Sequence, residues 1–460
     1  MAFLRRSRTE TDMTTGSIYP LILGFAIPLL LGNIFQQFYN TVDTWVVGNY
    51  VGKQAFSAVG TVGPVTNTII GFFIGFSSGA GVVISRLFGA KNEEGVSAAV
   101  HTFVAVTIIS CVVMTAIGIA MVPLMIKILG SPEDVAPLQS LYLTIYFSGV
   151  TGLLIYNSGA SILRAVGNSF FPFLFLVVTT VMNIILDLVF VLVFKMGTAG
   201  VAYATIIAQA VSAILVVTVL LTTKSVVRVN IKKIKIDKAI LGEILKIGLP
   251  SALQMSITAF SNVFVQSYIN FFGTDVMAGW TAYNKIDQIF FLPLQSLALA
   301  TTTFVGQNLG YGSIRRARKG AIAALVMGLI STAVEISLVF VSASSLVNFF
   351  VDDAEEMVIY YGSLFLRMNG PFFMAACVNQ IFGGALRGAG KTSLSMANML
   401  FSFVFFRQVY LFVMTRFISN TPITVGIGYP VGWVMCAILM VISYLIVFPK
   451  PQPETESVSA

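Results

Sequence analysis

The sequence predicts an all-α membrane protein: twelve transmembrane helices in two pseudo-symmetric six-helix lobes, related by a parallel repeat. Three observations carry this. Hydrophobic residues make up 57% of the chain and charged ones 10%, against about 25% charged in a soluble domain. With a mean hydropathy of +0.89, that is more apolar sequence than a soluble core absorbs. The apolar residues come in runs long enough to cross ~30 Å of hydrocarbon as helices, whereas barrel strands would be about ten residues long and alternating. Motifs of the first half also recur in the second. Ile27-Pro28 answers Leu249-Pro250, RLFGAKNEEG (86–95) answers QNLGYGSIRR (307–316), and ASILRAVGNS (160–169) answers GGALRGAGKT (383–392).

The runs place spans over about 18–45, 56–84, 97–126, 138–163, 169–194, 198–222, 245–271, 280–307, 320–350, 358–386, 392–418 and 424–448. Six spans per half is an even number, so both halves enter from the same side and the repeat axis lies along the membrane normal. The plan is an N-terminal tail (1–17), an N-lobe (18–222), a basic linker (223–244), a C-lobe (245–448) and a C-terminal tail (449–460). With the N-terminus in the cytoplasm, the inside segments hold 20 Lys and Arg and the outside segments 5, which puts both termini inside. The net charge of +8 is therefore a topology signal for a multi-pass plasma (inner) membrane protein, and it argues against a nucleic-acid partner. The linker is too polar to span and reads as a solvated cytoplasmic segment near anionic lipid.

Along the chain, the first span carries a polar stripe. At about 100° per residue, Asn33, Gln36, Gln37, Asn40 and Asp43 share one face, while Leu31, Phe35, Phe38, Val42 and Trp45 point elsewhere. The span is long and has no small-residue cleavage site, so it is expected to remain as a helix. Pro28 and Pro250 sit early in corresponding spans, where proline either bends a helix or marks its start. Gly71, Gly75 and Gly79 form GxxxG steps in the second span, which let helices approach closely. His101, alone of its kind, reads as a packed or interfacial side chain. Cys111, Cys377 and Cys436 read as small packing residues.

The fourth, fifth and sixth spans contribute Asn157, Asn183 with Asp187 one turn on, and Thr205. A carboxylate in a bilayer costs about 2.5–3.5 kcal/mol even on a lenient scale, so it normally faces a cavity and has a role there. No basic residue of the first half lies at matching depth. Asp43 and Asp187, with the Asn183 amide and the Thr205 hydroxyl, form an oxygen set suited to a hard monovalent cation such as sodium, to which Asn157 can add. Two carboxylates in one dry cavity also suit a single proton, because burial and repulsion both oppose two charges. Either ion, H+ or Na+, fits the pair. At the repeat offset Asp43 becomes Val265, Asp187 about Tyr410 and Asn183 about Phe406, so one lobe carries the ion chemistry.

The seventh span carries Gln254, Asn262, Gln266 and Asn270, which either line a cavity or bond neighbouring helices. Asp287 is expected near the outer interface with Lys285, in water. Glu335, in the ninth span, is expected to pair with Arg367 or Arg407. Residues 385–392, ALRGAGKT, imitate a phosphate-binding loop, but Ala385 replaces its first glycine and no strand precedes it. With no cofactor and no nucleotide motif, transport would run on an ion gradient. No nucleophile–base or metal constellation suggests an enzyme.

FAIPLLLGNIFQQFYNTVDTWVVGNYVG, GAGVVISRLFGAKNEEG, SILRAVGNSFFP and GGALRGAGKTS resemble the multidrug and toxic compound extrusion (MATE) family, over about 15–448. The resemblance implies an antiporter that exchanges entering sodium or protons for organic, often cationic, compounds as two lobes rock. It implies that Asp43, Asn157, Asn183, Asp187 and Thr205 match the family's N-lobe cation site. The branch with a C-lobe site has acids in helices seven and ten. Here Gln254 stands in helix seven and residues 367–388 hold no acid, which favours the N-lobe mechanism. Gln36, Phe38, Asn40 and Gln266 are candidates for the compound cavity, small organic molecules and the bilayer are the expected partners, and a monomer is the expected working unit. Rival readings are a lipid-linked intermediate flippase or polysaccharide exporter, which would expose membrane-embedded Arg or Lys in a cationic groove, and a non-transporting receptor or scaffold.

Overall fold

A computed structural model describes residues 10–129, 132–350 and 356–450. The remainder of both tails, including Arg5, Arg6 and Arg8, lies outside the described residues. The regular structure described is helical throughout: α1 (Ile18–Val51), α2 (Lys53–Gly89), α3 (Glu93–Leu129), α4 (Ala136–Ala165), α5 (Phe170–Val193), α6 (Gly197–Thr222), α7 (Lys238–Asn270), α8 (Thr274–Gly310), α9 (Ile314–Phe350), α10 (Glu356–Asn369), α11 (Phe373–Gly388), α12 (Thr392–Ile418) and α13 (Pro422–Val447).

Among the described residues, 11 of these helices are long and apolar enough to cross a membrane. The tenth predicted span is broken. A single 3-10 turn at Gly370–Phe372 separates α10 from α11, where Pro371 lacks the N–H that an unbroken helix would need. The protein is thus an all-α membrane protein whose tenth crossing comes in two pieces.

Helices α1–α6 pack mainly through α1·α5, α2·α4, α3·α4, α4·α6 and α5·α6. The later helices pack through α8 with α9, α10 and α11, and through α11·α13 and α7·α12. The halves meet along α2·α7 and α1·α8, two contacts that exchange under the repeat. The turns repeat too. Gly52 and Gly273 (φ 117° and 92°), Lys91 and Gly312 (57° and 86°), and Gly167 and Gly390 (81° and 71°) occupy matching left-handed corners. Gly388 ends α11 and Gly390 turns the chain, so ALRGAGKT is a helix end rather than a nucleotide loop.

The GxxxG steps of α2 face α7. A Cβ on Gly75 would lie 2.6 Å from the Ser251 carbonyl, and one on Gly79 would run into the Gly248 backbone. Backbone therefore meets backbone at the seam.

Two expectations about the linker need correction. Helix α7 starts at Lys238 rather than 245, because Asp237 caps it: its Oδ1 accepts from the Ala239 and Ile240 N–H groups at 2.9 and 3.1 Å. Pro250 is consequently interior, like Pro28. The linker is also docked rather than freely solvated. The Asn230 N–H donates to His101 Nε2 (2.9 Å), so the His101 proton sits on Nδ1 and is donated to the Ser97 carbonyl (2.6 Å). Thr102 Oγ1 accepts from the Asp237 N–H at 3.1 Å. His101 is thus a packed side chain, and Cys111, Cys377 and Cys436 are buried with free thiols.

Seam packing makes a testable contrast. A Cβ on Gly24 meets nothing within 4 Å, whereas Gly79 has no room for one. Gly24→Ala should leave thermal stability unchanged or raise it, by up to about 1 kcal/mol of helix propensity. Gly79→Ala should lower the melting temperature of the purified protein, at an overpacking cost of about 1–3 kcal/mol. Equal melting of the two variants would show that the α2–α7 contact is loose.

Candidate functional site

Helix α1 brings Asp43 and α5 brings Asp187 and Asn183 into one enclosed region. Their exposures are 8%, 0% and 1%. The two helices can run close because Gly32 of α1 sits over Phe173 and Leu176 of α5; a Cβ there would already be 3.2 Å from Leu176 Cδ1. The carboxyl groups of Asp43 and Asp187 face each other. Asp43 Oδ1, both Asp187 oxygens and both Asn183 amide atoms are enclosed with no hydrogen-bond partner. Neither carboxylate has a basic neighbour to balance it: among the described residues the one ion pair is Lys91–Asp12, at the end of the bundle that carries residues 10–17.

Asn157 and Thr205 stand on α4 and α6 with their donors spent on their own helices. Asn157 Nδ2 donates to the Leu153 carbonyl (2.9 Å) and Thr205 Oγ1 to the Val201 carbonyl (3.0 Å). Their oxygen lone pairs remain for a ligand, but no hydrogen bond ties either to the acidic pair.

The sequence reading missed two neighbours. Tyr39 of α1 and Tyr142 of α4 lie within electrostatic reach of the pair, and Tyr146 of α4 stacks on Tyr142 with centroids 6.2 Å apart. Tyr39 is one turn before Asp43 on the same face, a spacing that could have flagged it. Also unforeseen is the local backbone. Past Asp43, α1 widens into a π turn at Val47–Val51, and past Asp187, α5 does so at Val189–Val193; the two π segments touch. Such turns often mark functional positions.

Of the candidate cavity residues, Gln36, Phe38 and Asn40 are exposed along α1, and Gln266 is half-buried on α7 with Nε2 donating to Asn270 Oδ1 (2.8 Å). Asn33 of the same stripe instead reaches α8, donating to Ser296 Oγ at 3.4 Å. At the mirror position, Val265 is fully buried in an apolar cluster with Trp280, Phe365 and Leu411.

Two acids differ from expectation. Asp287 is not in water beside Lys285. It is half-buried on α8 with Oδ1 enclosed, close to the Tyr283 hydroxyl, which in turn lies near the Asn369 amide, and none of these contacts closes to a hydrogen bond. Glu335 has no arginine partner. Its Oε1 accepts from Ser331 Oγ (3.1 Å) and its Oε2 has none. Arg367 is exposed. Arg407 is buried and bonded elsewhere: Nη2 donates to Ser261 Oγ (2.8 Å) and Asn262 Oδ1 (2.9 Å), with the guanidinium 5.0 Å over the Tyr429 ring. Matching depth alone suggests that pair; α9 packs on α8, α10 and α11, while Arg407 of α12 turns to α7.

The MatE family model matches residues 28–189 and 247–413. The probable multidrug resistance protein YpnP of Bacillus subtilis is 28% identical over 433 residues, covering 94% of this chain and 96% of the relative. YoeA of the same organism, also a probable multidrug resistance protein, is 27% identical over 435 residues, covering 93% and 94%. The fold matches a crystal structure of MATE in complex with MaL6 with a TM-score of 0.89, at 21% identity, covering 95% of this chain and 97% of that one.

Glu335→Gln keeps an oxygen for the Ser331 hydroxyl and breaks no ion pair. Its melting temperature and membrane abundance should match the parent, within about 0.5 kcal/mol. A loss of about 3 kcal/mol or more would reveal a cationic partner.

Proposed function

The chain belongs to the MatE family and is a MATE multidrug efflux transporter, and we propose that its coupling cation binds between Asp43 and Asp187. The observation that carries this reading is the facing of two buried carboxylates with no basic partner. Two negative charges held together in a low-dielectric site are unstable, and one proton or one sodium ion relieves them. The unpartnered oxygens of Asp187 and Asn183 form a donor set that suits sodium as well, to which the Thr205 hydroxyl and the Asn157 amide are proposed to add.

The mechanism follows from what loading does to α1 and α5. Empty, the pair repels; loaded, it lets the helices close on each other and on Tyr39 and Tyr142. Such a cation drives export only by binding one arrangement of the halves more tightly than the other. The exported compounds are small organic molecules, with Gln36, Phe38, Asn40 and Gln266 proposed along the cleft between the halves. The basic end of the bundle is proposed to face the cytoplasm across the plasma membrane, with both termini there and the working unit a monomer. The rocking bodies are proposed as residues 18–222 and 245–448.

Coupling in the first half fits the second half's residues. Gln254 of α7 donates to Met399 Sδ (2.7 Å), and residues 367–388 contain no acid. A flippase would need embedded cations facing a groove, and Arg407 is 3% exposed with its Nη2 bonded to Ser261 and Asn262 of its own half.

Purified protein in liposomes, with proton and sodium gradients imposed separately, tests the site and identifies the ion. Asp43→Asn and Asp187→Asn should each reduce gradient-driven efflux at least tenfold while leaving expression and melting intact. Undiminished efflux by either variant would remove that residue from coupling.

A further inference from the structure

Residues 10–16 do not trail from α1 as a free tail. They cross the seam at the basic end and bond to both halves. On the first half, the Thr11 N–H donates to the Val166 carbonyl (2.8 Å) and Lys91 pairs with Asp12 (2.6 Å), and Glu10 Oε1 accepts from the Val226 N–H of the linker (2.8 Å). On the second, the Met13 N–H donates to Gln307 Oε1 (2.9 Å), and the Met13 carbonyl accepts from Asn308 Nδ2 (3.1 Å) and Arg316 Nη2 (3.2 Å). Arg316 Nη2 also holds the Thr15 carbonyl at 3.0 Å. Met13 is fully buried, as are Gln307 and Asn308.

The halves themselves touch at the same level. Gln307 Nε2 donates to the Ala165 carbonyl at 3.0 Å. Gly89 of α2 lies on the Gln307 carbonyl, and Gly310 of α8 lies on the Arg86 carbonyl, each with no room for a Cβ. These bonds fasten the basic end shut; Asn33–Ser296 is a further cross-half bond, higher along α1.

We propose that residues 10–16, held by Gln307, Asn308 and Arg316, are the clasp of the inner gate, and that it must detach from the second half in each transport cycle. This rests on the alternating-access reading above. The segment is covalently part of α1, so opening the basic end requires its bonds to the second half to break, while those to Val166 and Lys91 can persist. The Met13 side chain packs into the apolar cluster that holds Phe304, the ring over which Arg316 lies at 5.5 Å, so detachment also empties an apolar seat between the halves. The Lys91 bridge anchors the other side. Burial alone would raise the Asp12 pKa, but the hydrogen bonds from Lys91 and Thr14 outweigh it and hold the carboxyl below its ordinary value. The anchor is therefore present at neutral pH and lost only as pH falls through that lowered value.

Two measurements test the clasp. First, Thr15→Cys with Arg316→Cys is folded, reconstituted, and then bridged by a short, reducible bifunctional thiol reagent. Bridging should cut efflux at least tenfold, and reduction should restore it; undiminished efflux by the bridged protein overturns the proposal. Second, spin labels at the exposed positions Glu94→Cys and Lys319→Cys report the width of the basic end. Adding Arg316→Gln should raise the wide-distance population at least threefold, with Arg316→Lys intermediate; an unchanged distribution overturns the proposal. Neither result depends on which ion couples. Efflux indifferent to both gradients would overturn the Asp43–Asp187 site and leave the clasp standing, and free efflux through a bridged gate would do the reverse.

Discussion

A carboxylate without a counter-cation is among the costliest groups a bilayer-spanning protein can carry, and this chain sets two of them face to face. Structural acids in membranes pair with arginine or lysine. Asp43 and Asp187 do not, and their enclosed oxygens, with the Asn183 amide, are left without partners. A site so arranged is least stable when both acids are charged and nothing is bound. On the proposed reading, every helix that builds it (α1, α5 and the tyrosine-bearing face of α4) therefore packs around a group whose charge changes when a cation binds.

Helix α1 ties that site to the rest of the molecule. From Ile18 to Asp43 it runs roughly 37 Å at about 1.5 Å per residue, and its N-terminal extension is the segment wedged between the halves. Pro28 lies between the two ends and deprives the helix of one backbone bond there. Asn33, just beyond, reaches across to Ser296 of α8. One element thus carries a charge-sensitive end, a weakened middle and a fastened end. The α2–α7 seam supplies a rigid counterpart, since glycine steps that put backbone on backbone leave little freedom to deform there and favour motion of whole halves over local bending.

Much of this was legible in the sequence because the bilayer imposes length, hydropathy and charge rules on each span. The acidic pair was legible for the same reason: a buried acid stands out against apolar neighbours. What escaped was set by details that composition averages away. Asp237 caps α7 early, inside a stretch that reads as solvated linker. Gly370-Pro371 breaks the tenth crossing, although the run on either side is apolar enough to look continuous. Asp287 and Glu335 escaped because depth along a helix does not say which helices it packs against: α9 packs on α8, α10 and α11, while Arg407 of α12 turns to α7. The strap across the seam left no pattern at all, since most of its bonds to the second half fall on main-chain atoms of Met13 and Thr15, which every residue type possesses.

The chemistry of that strap matters to how it can be opened. Charged pairs across the gate would be fixed in strength and hard to part. The second half instead holds the strap with side-chain donors and one amide oxygen set against peptide groups, the neutral bonds worth about 0.5–1.5 kcal/mol each and those from the Arg316 guanidinium about 1.5–3 kcal/mol once water can replace them. Moving a two-state equilibrium from 1:99 to 99:1 takes about 5.5 kcal/mol of differential binding. A handful of such bonds lies within that range, so on the proposed reading one cation bound at the far end of α1 has enough leverage to decide whether the strap holds. A closure built from buried ion pairs, which cost about 3–5 kcal/mol each to break by losing a partner, would not yield to it.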